Sequence, residues 1–301
     1  MTLSFSSGPV RVRVPATSAN LGPAFDSAGL CLALYDEVSV QVTAGGLGVQ
    51  VTGEGAGVLP RSERHLVVRA LRAALDVLGG QPPGLRLHCG NRIPQSRGLG
   101  SSSAAIVAGI VAARALVVDG ARLLDDAAVL TLADEIEGHP DNVAACLRGG
   151  FTLAWRDAGG VHAARSEVHP DLLPVAFVPL ERSSTKEVRG LLPATVPHAD
   201  AAAGAGRAAL LALALTTAPE LLLAATEDRL HQAYRAPAMP RTADLVAALR
   251  GEGIPAVVSG AGPTVLALST RAAAADVARA AGHGWAAHLL PVDGAGAVVL
   301  G

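Results

Sequence analysis

The 301-residue sequence predicts an α+β protein with two domains. Segments that alternate apolar and polar residues, as half-buried strands do, are interspersed with longer stretches of helical spacing. Residues 242–292 predict the order helix, strand, strand, helix, strand, which favours a C-terminal ferredoxin-like α/β sandwich. The polar stretch that begins at Gly159-Gly160 is the weakest region of the pattern. We therefore expect a mixed α/β domain over residues 1–160 and the sandwich over residues 161–301.

Strand and helix signals account for the first half in chain order. Val10, Val12 and Val14 alternate with arginines and predict a strand that Pro15 ends, and a loop of small residues follows over Thr17–Gly29. The other strands of this half are predicted at 38–43, 47–52, 85–89 and 151–155, and the helices at 62–78, 101–117 and 125–137.

The second half opens with a predicted strand at 174–179. Its helices are predicted at 201–216, 219–234, 242–250 and 272–281, and its further strands at 256–259, 264–268 and near 288–292. Pro219 suits the first turn of a helix, since its missing N–H has no partner there in any case.

The composition excludes several classes of protein. Apolar residues make up 50% and charged residues 17%, which supplies a core and excludes disordered, collagen-like and coiled-coil chains. The net charge of −2 provides no basic field for nucleic acid or an anionic membrane. Cys31, Cys89 and Cys146 form no CxxC pair, so we expect a reducing compartment. No signal peptide is visible, and the longest apolar stretch, Ala208–Ala218, is too short to span a bilayer, so we expect a cytoplasmic protein.

A glycine-rich loop that leads into a serine-capped helix is the strongest functional signal. Backbone N–H groups at a helix start, together with the positive end of the helix dipole, form a cradle for phosphate groups. The Walker pattern is excluded because it needs Gly-Lys-Ser/Thr and the sole lysine is Lys186. An ordinary capped helix is the alternative. The residues of this phosphate loop are Pro94, Gln95, Ser96, Arg97, Gly98, Leu99, Gly100, Ser101, Ser102, Ser103 and Ala104.

Three further segments carry weaker signals. Pro15–Asp26 is a loop of small residues that can offer the amide of Asn20 and the carboxylate of Asp26 to a ligand, although a simple turn would explain both. Residues 135–142 cluster ionisable side chains at a helix end, which a solvated terminus would also explain. Ser259–Thr264 is a glycine-rich turn between two predicted strands.

Together, the four segments resemble the GHMP kinase superfamily over most of the chain. PATSANLGPAFDSAGL at 15–30 and EGHPDNVAA at 137–145 are similar to the signatures of its homoserine kinase family, which usually has glycine where Ala24 stands. The resemblance implies a two-domain GHMP kinase fold with an N-terminal ATP-binding domain. It implies direct in-line transfer of the γ-phosphoryl group of MgATP to the hydroxyl of L-homoserine, a step of threonine biosynthesis. The alternatives are a kinase for a mevalonate-type or sugar alcohol and a non-catalytic ATP-binding protein.

The resemblance also assigns residues. The phosphate loop becomes the ATP site, and Ser102 with Glu135 holds Mg²⁺, with Glu137 as the rival of Glu135. The implied acceptor-binding residues are Asn20, Asp26, His139, Asp141, Thr185, Arg189 and Arg235, and those implied in catalysis are Asp141, Asn20 and Arg189. Two arginines suit a carboxylate because the guanidinium fork matches it. The implied partners are small molecules, with neither nucleic acid nor membrane, and the family often forms homodimers.

Overall fold

The computed structural model describes residues 3–180, 188–280 and 282–301, and for residues 188 and 189 it describes the backbone alone. The strands in this part of the chain are β1 (Val10–Ala19), β2 (Ala28–Thr43), β3 (Gly46–Gly53), β4 (Gly84–Asn91), β5 (Phe151–Asp157), β6 (Gly160–Ser166), β7 (Val175–Pro179), β8 (Ala256–Val258), β9 (Val265–Ala267), β10 (Trp285–Leu289) and β11 (Val298–Leu300). The helices are α1 (Leu66–Leu78), α2 (Ser101–Leu116), α3 (Gly120–Leu123), α4 (Asp126–Glu137), α5 (Pro140–Arg148), α6 (His198–Thr216), α7 (Leu222–Ala225), α8 (Gln232–Arg235), α9 (Pro240–Gly251) and α10 (Ala274–Arg279).

The first sheet has seven strands. Its main path runs β11-β1-β2-β4-β3, and β5 joins β2 to β6. Every pairing is antiparallel except that of β3 with β4, because β4 lies between the sequence neighbours β2 and β3. The two strands predicted on either side of Gly45-Gly46 therefore both exist, but they pair with β4 instead of with each other.

Strand β1 continues past the proline that was expected to end it. Val10, Val12 and Val14 are buried as the alternation predicts, and the register with β2 shifts between Pro15 and Ala16. Proline cannot donate to a strand ladder, so an irregularity at this position lets the strand continue. The loop predicted over Thr17–Gly29 is confined to residues 20–27, because β1 extends to Ala19 and β2 begins at Ala28, and β1 thus carries the chain directly to the functional cleft.

Helix α2 packs on β1 and β2 of this sheet, and α1 packs on α2. Leu71, Leu75 and Leu78 form the predicted buried stripe of α1, which begins after His65 instead of at 62 and ends at the left-handed Gly79. The two helices approach so closely that a Cβ at Gly109 of α2 would lie 2.5 Å from the Val67 carbonyl oxygen. The Ala- and Gly-rich sequence of α2 is what permits this contact.

The second sheet confirms the ferredoxin-like prediction. Its order is β10-β7-β9-β8, all antiparallel, and α9 and α10 pack on it. The final strand of this sheet lies at Trp285–Leu289, a few residues before its predicted place. The division of the chain after residue 160 stays a prediction, while β6 and β11, which follow that point, pair within the first sheet.

One predicted helix is broken. Residues 219–234 form a short 3-10 turn (Pro219–Leu221), then α7, then an irregular link to α8. The carboxylate of Asp228 accepts the N–H groups of Leu230, His231 and Gln232, so it starts a new turn where the helix was expected to continue.

Helix α6 is long and apolar enough, by length and composition, to cross a membrane, and 22% of its apolar stretch is buried. A single helix of this kind is weak evidence for a membrane span, because core helices of soluble proteins and signal sequences can have the same length and composition. The three cysteines are buried and unbridged.

Candidate active site

The phosphate loop turns sharply into helix α2. Ser96, Gly98 and Gly100 have positive φ angles of 55°, 78° and 69°. Gly100 is the N-cap of α2 and Ser101 its first residue. The N–H groups of the first helical turn have no partner within the helix, so the loop presents them, with the positive helix end, to a cleft lined by Ser96–Gly98 and Gly100–Ser103.

A second helix N-terminus lies beside the first. Asn142, in the first turn of α5, accepts at Oδ1 a hydrogen bond of 2.7 Å from the hydroxyl of Thr17 in β1. A Cβ on Gly100 would overlap that same Thr17 hydroxyl oxygen. Thr17 thus fixes α5 against the start of α2, and both helix N-termini line one cleft.

The glycine turn Ser259–Thr264 packs against the phosphate loop. Ser259 Oγ donates to the Gly98 carbonyl oxygen at 2.5 Å, and the Thr264 N–H donates to the Arg97 carbonyl oxygen at 3.2 Å. A Cβ on Gly98 would overlap the Ser259 carbonyl oxygen. The turn therefore needs glycine opposite it and contributes Gly260–Gly262 to the cleft.

The loop after β1 is held by the amide of Asn20. Asn20 is buried with φ 69°, its Oδ1 accepts the Asp26 N–H at 2.9 Å, and its Nδ2 donates to the Gly260 carbonyl oxygen at 3.0 Å. Both Asn20 and the exposed Asp26 line the cleft. In this structure the amide of Asn20 supports the loop that presents the carboxylate of Asp26.

Asp141 is a buried carboxylate at the N-terminus of α5. Its Oδ1 accepts the Asn142 N–H at 2.7 Å and lies 3.1 Å from His139 Nδ1. Its side chain is 3% exposed, yet the residue lines the cleft together with His139. The positive end of α5 favours negative charge at this position.

Glu137, and not Glu135, lies beside Ser102. Glu137 Oε1 accepts hydrogen bonds from Ser102 Oγ at 2.6 Å and Ser103 Oγ at 2.9 Å. Glu135 is exposed and lies outside the cleft lining. Positions two apart on a helix point in different directions, so the orientation of α4 selects one of them. Of the two glutamates that the resemblance offered for Mg²⁺, the structure places the rival, Glu137, beside Ser102, and the Mg²⁺ assignment itself stays a prediction.

Arg235 enters the cleft from the second half of the chain. The side chain is 2% exposed, and its Cζ lies 5.2 Å from the ring centroid of Phe25. Thr185 lies outside the described residues. Arg189 has its backbone in a short 3-10 helix (Val188–Leu191), and its side chain also lies outside what the structure describes.

The cleft combines both signs of charge. Arg97, Arg235 and two helix N-termini supply positive potential, and Asp26, Glu137 and Asp141 supply carboxylates. Among the described residues, no three His, Cys, Asp or Glu side chains cluster as a metal site would require. The two signs of charge suit an anionic ligand beside a second ligand that carries both charges.

Sequence reasoning missed three contributors to this cleft. Thr17 was assigned to a loop although it is a strand residue, and Asn142 was quoted in the 135–142 segment without a role. Gly260–Gly262 was recognised as part of a motif but was left out of the site residues. A sign of Thr17's place was available, because a strand can continue past a proline and Thr17 lies only two residues after Pro15.

Family models match both halves of the chain. The model described as GHMP kinases N terminal domain matches residues 65–150, and that described as GHMP kinases C terminal matches residues 207–287. The fold and the phosphate loop described above are those of this class: the protein is a GHMP kinase.

The relatives narrow the family further. The homoserine kinase of Streptomyces avermitilis is 63% identical over 297 residues, covering 99% of this chain and 97% of the relative. The homoserine kinase of Streptomyces coelicolor is 62% identical and covers 99% and 96%. A crystal structure of homoserine kinase from Cytophaga hutchinsonii has a TM-score of 0.85 at 27% identity and covers 100% and 99%. Within the GHMP kinases, the chain belongs to the homoserine kinase family.

Proposed function

We propose a residue-level account of how this chain performs the reaction of its family. As a homoserine kinase, it transfers the γ-phosphoryl group of ATP to the hydroxyl of L-homoserine and forms O-phospho-L-homoserine for threonine biosynthesis. The observation that carries the account is the arrangement of the cleft. A phosphate loop, a carboxylate at a helix N-terminus and a pair of opposite charges, Asp26 and Arg235, line one space.

The phosphate loop, Pro94–Ala104, binds the ATP phosphates in this proposal. The start of α2 and Arg97 line the cleft, and helix N–H groups and a guanidinium are donors that suit phosphate oxygens. A second cavity adjoins the loop at Ser96, Ser101 and Ser102. Apolar residues line it together with the polar side chains of Asp36, His65, Asn91 and Gln95. Neither ring nitrogen of the buried His65 has a hydrogen-bond partner among the described residues, so this cavity is suited to the polar edge of the nucleoside base.

Ser102 and Glu137 fit a Mg²⁺ ion that arrives with ATP. A hydroxyl and a carboxylate are hard oxygen donors, and Mg²⁺ in kinases is usually held by one or two protein groups plus substrate phosphates. The absence of a larger cluster of ligating side chains in the described part of the chain agrees with this donor set. When bound, the ion would neutralise negative charge on the transferred group.

The acceptor is held by opposite charges. Arg235 binds the carboxylate of homoserine and Asp26 its ammonium group, which leaves the hydroxyl to face Asp141. Arg189 is a second carboxylate contact in this proposal, and Thr185 and His139 complete the acceptor site. A sugar or another uncharged alcohol would leave Asp26 and the buried Arg235 unused, which disfavours that class of acceptor.

Asp141 orients the attacking hydroxyl and accepts its proton as the new bond forms. The hydroxyl oxygen attacks the γ-phosphorus, the bond from that phosphorus to the bridging oxygen of ADP breaks, and the proton goes to the carboxylate. The transition state of such transfers is loose, so positioning and charge stabilisation supply most of the rate. Asn20 contributes by holding the loop that carries Asp26.

The test is an ADP-release assay with MgATP and an acceptor panel of L-homoserine, L-serine, L-threonine, mevalonate and galactose. Mg²⁺-dependent turnover with L-homoserine in strong preference to the others is expected. Turnover with mevalonate or galactose instead would contradict the charged acceptor site while keeping the phosphate-loop assignment. Folded protein that binds ATP and turns over no acceptor would contradict the catalytic assignment.

The remaining expectations fit this activity. The partners are the small molecules ATP and L-homoserine, and the proposal includes neither nucleic acid nor membrane. A cytoplasmic location follows from the supply of ATP and from the three unbridged cysteines. A homodimer stays a prediction.

A further inference from the structure

The buried guanidinium of Arg235 is held in place by neighbours outside its own helix. Helix α8 has four residues, too few to fix a long side chain by itself. The guanidinium lies over the ring of Phe25, and its Nη1 lies 3.3 Å from His231 Nδ1. Arg235 lines the cleft, whereas His231 is fully buried behind it and is absent from the lining among the described residues.

The hydrogen bonds of His231 define its protonation state. A guanidinium only donates, so Nδ1 of His231 must accept the hydrogen bond from Arg235. Nε2 lies 2.9 Å from the carbonyl oxygen of Gly22, which only accepts, so Nε2 must carry the proton. Both contacts are satisfied by the neutral ring in its Nε2–H form. A second proton, on Nδ1, would face the guanidinium.

The charged groups around the ring shift the pKa of His231 in opposite directions. Asp228, whose Oδ2 lies 3.7 Å from Nε2, and Asp26 favour the protonated ring, as does the Gly22 carbonyl. Burial and the charge of Arg235 oppose it, and burial is the largest of these effects, so the pKa of His231 lies below its usual value. The ring is therefore neutral near pH 7.

We propose that neutral His231 is a positioning residue that accepts a hydrogen bond from Arg235 and so aims the guanidinium at the carboxylate of the acceptor. The proposal rests on the acceptor site proposed above. It also links two distant segments, because the same ring holds the Gly22 carbonyl of the loop that carries Asp26. One histidine thus sets the spacing between the two charges that bind a zwitterion.

Two substitutions separate positioning from a structural role. His231→Gln keeps an amide N–H near the place of Nε2 but removes the acceptor at Nδ1, and His231→Asn keeps an acceptor near Nδ1 but removes the donor to Gly22. We expect His231→Gln to raise the KM for homoserine roughly tenfold, as for loss of a hydrogen bond to a charged group, with kcat and the KM for ATP within about twofold. His231→Asn keeps the acceptor for Arg235 but loses the contact with Gly22, so it should raise the KM for homoserine by only about threefold, with kcat and the KM for ATP within about twofold.

Two further measurements test the link to Arg235. In a background of Arg235→Leu, adding His231→Gln should not raise the KM for homoserine further, because the guanidinium is already gone. In the wild type, the KM for homoserine should rise as the pH falls through the lowered pKa of His231, and this acidic limb should be absent in His231→Asn.

The outcomes are distinguishable from those of the proposed function. If wild-type protein does not turn over homoserine, the proposed function fails and the assignment of His231 fails with it. If wild type is active but His231→Gln leaves the KM for homoserine unchanged, or changes both KM values and kcat alike, only the positioning role is overturned. If His231→Gln does not fold by circular dichroism, the pH profiles decide, and a wild type without the acidic limb overturns the proposal.

Discussion

Replacing Gly100 by alanine should weaken the start of helix α2 more than any exposed glycine substitution would. Gly100 has φ 69°, and an added Cβ would overlap the hydroxyl oxygen of Thr17. Thr17 is fully buried and donates to Asn142 Oδ1 at 2.7 Å, so it cannot move without breaking that bond. The substitution therefore acts on both helix N-termini of the active site.

The magnitude follows from three contributions. A side chain in the left-handed region costs about 1–2 kcal/mol. Loss of the bond from Thr17 to Asn142 costs about 1 kcal/mol, and forcing an extra methyl group into packed surroundings costs about 1–3 kcal/mol. Gly100→Ala should therefore lower the free energy of unfolding by roughly 3–6 kcal/mol.

The matched control is Gly253→Ala. Gly253 is exposed, has φ 79°, and has no neighbouring atoms within 4 Å of an added Cβ, so it isolates the backbone contribution. Urea unfolding followed by circular dichroism measures both variants. Removing the Thr17 hydroxyl with Thr17→Ala should bring the cost of Gly100→Ala most of the way to that of Gly253→Ala, because the contacts that remain, with the β-carbon of residue 17 and with Asn142 Oδ1, lie at 3.2 and 3.3 Å. If Gly100→Ala destabilises no more than Gly253→Ala in the wild-type background, the role assigned to Thr17 is refuted.

Three further predictions concern carboxyl groups. Glu137→Gln should raise the Mg²⁺ concentration needed for half-maximal activity by about tenfold. Glu135→Gln is the control and should change that concentration by no more than about twofold. Equal effects of the two variants in a Mg²⁺ titration would contradict the choice of Glu137. Asp141→Asn should lower kcat by about 10²–10⁴-fold with a smaller change in the KM for homoserine, and steady-state kinetics with an unchanged kcat would exclude a chemical role. Burial raises the pKa of Asp36 to about 6 from 3.8, although the N–H groups of Arg92 and Ile93 lower it. The folded state thus holds this proton more tightly than the unfolded chain, and its stability falls as the pH rises from about 4 to 6. Asp36→Asn should remove that fall, so the stability of the variant relative to the wild type should be about 2–3 kcal/mol greater above pH 6 than at pH 4. If the stabilities of the two proteins change in parallel with pH, the carboxyl of Asp36 is not responsible.

Local signals in the sequence predicted most helices and strands, because the formation of these elements depends on residues that are neighbours along the chain. The alternation in β1, the stripe of α1 and the glycine after it all appear where the pattern placed them. The pairing of β3 with β4 did not follow, because it is decided by contacts between residues far apart in sequence. Strand β11, Val298–Leu300, was not predicted, because it is defined by its pairing with β1 at the other end of the chain.

The sequence predicted which loops form the site, but not which side chains of its helices point into the cleft. The resemblance placed Asn20, Asp26, His139 and Asp141 in one site, and the structure brings them to one cleft. The choice between Glu135 and Glu137 depends on the rotation of α4 against α2, which no local pattern encodes. His231 and Phe25 were missed as supports of Arg235 because their contact requires the loop after β1 to meet α8.

The contact between the glycine turn and the phosphate loop limits how this enzyme can be recombined with its relatives. Thr264 reaches the Arg97 carbonyl and Gly260 reaches the Ala19 carbonyl through main-chain atoms, so no side-chain replacement can repair a mismatch there. A chimaera that joins the first half of one parent to the second half of another must therefore match in loop length and backbone curvature at both places. Libraries that inherit the two segments from one parent as a single block should yield far more active proteins than those that separate them.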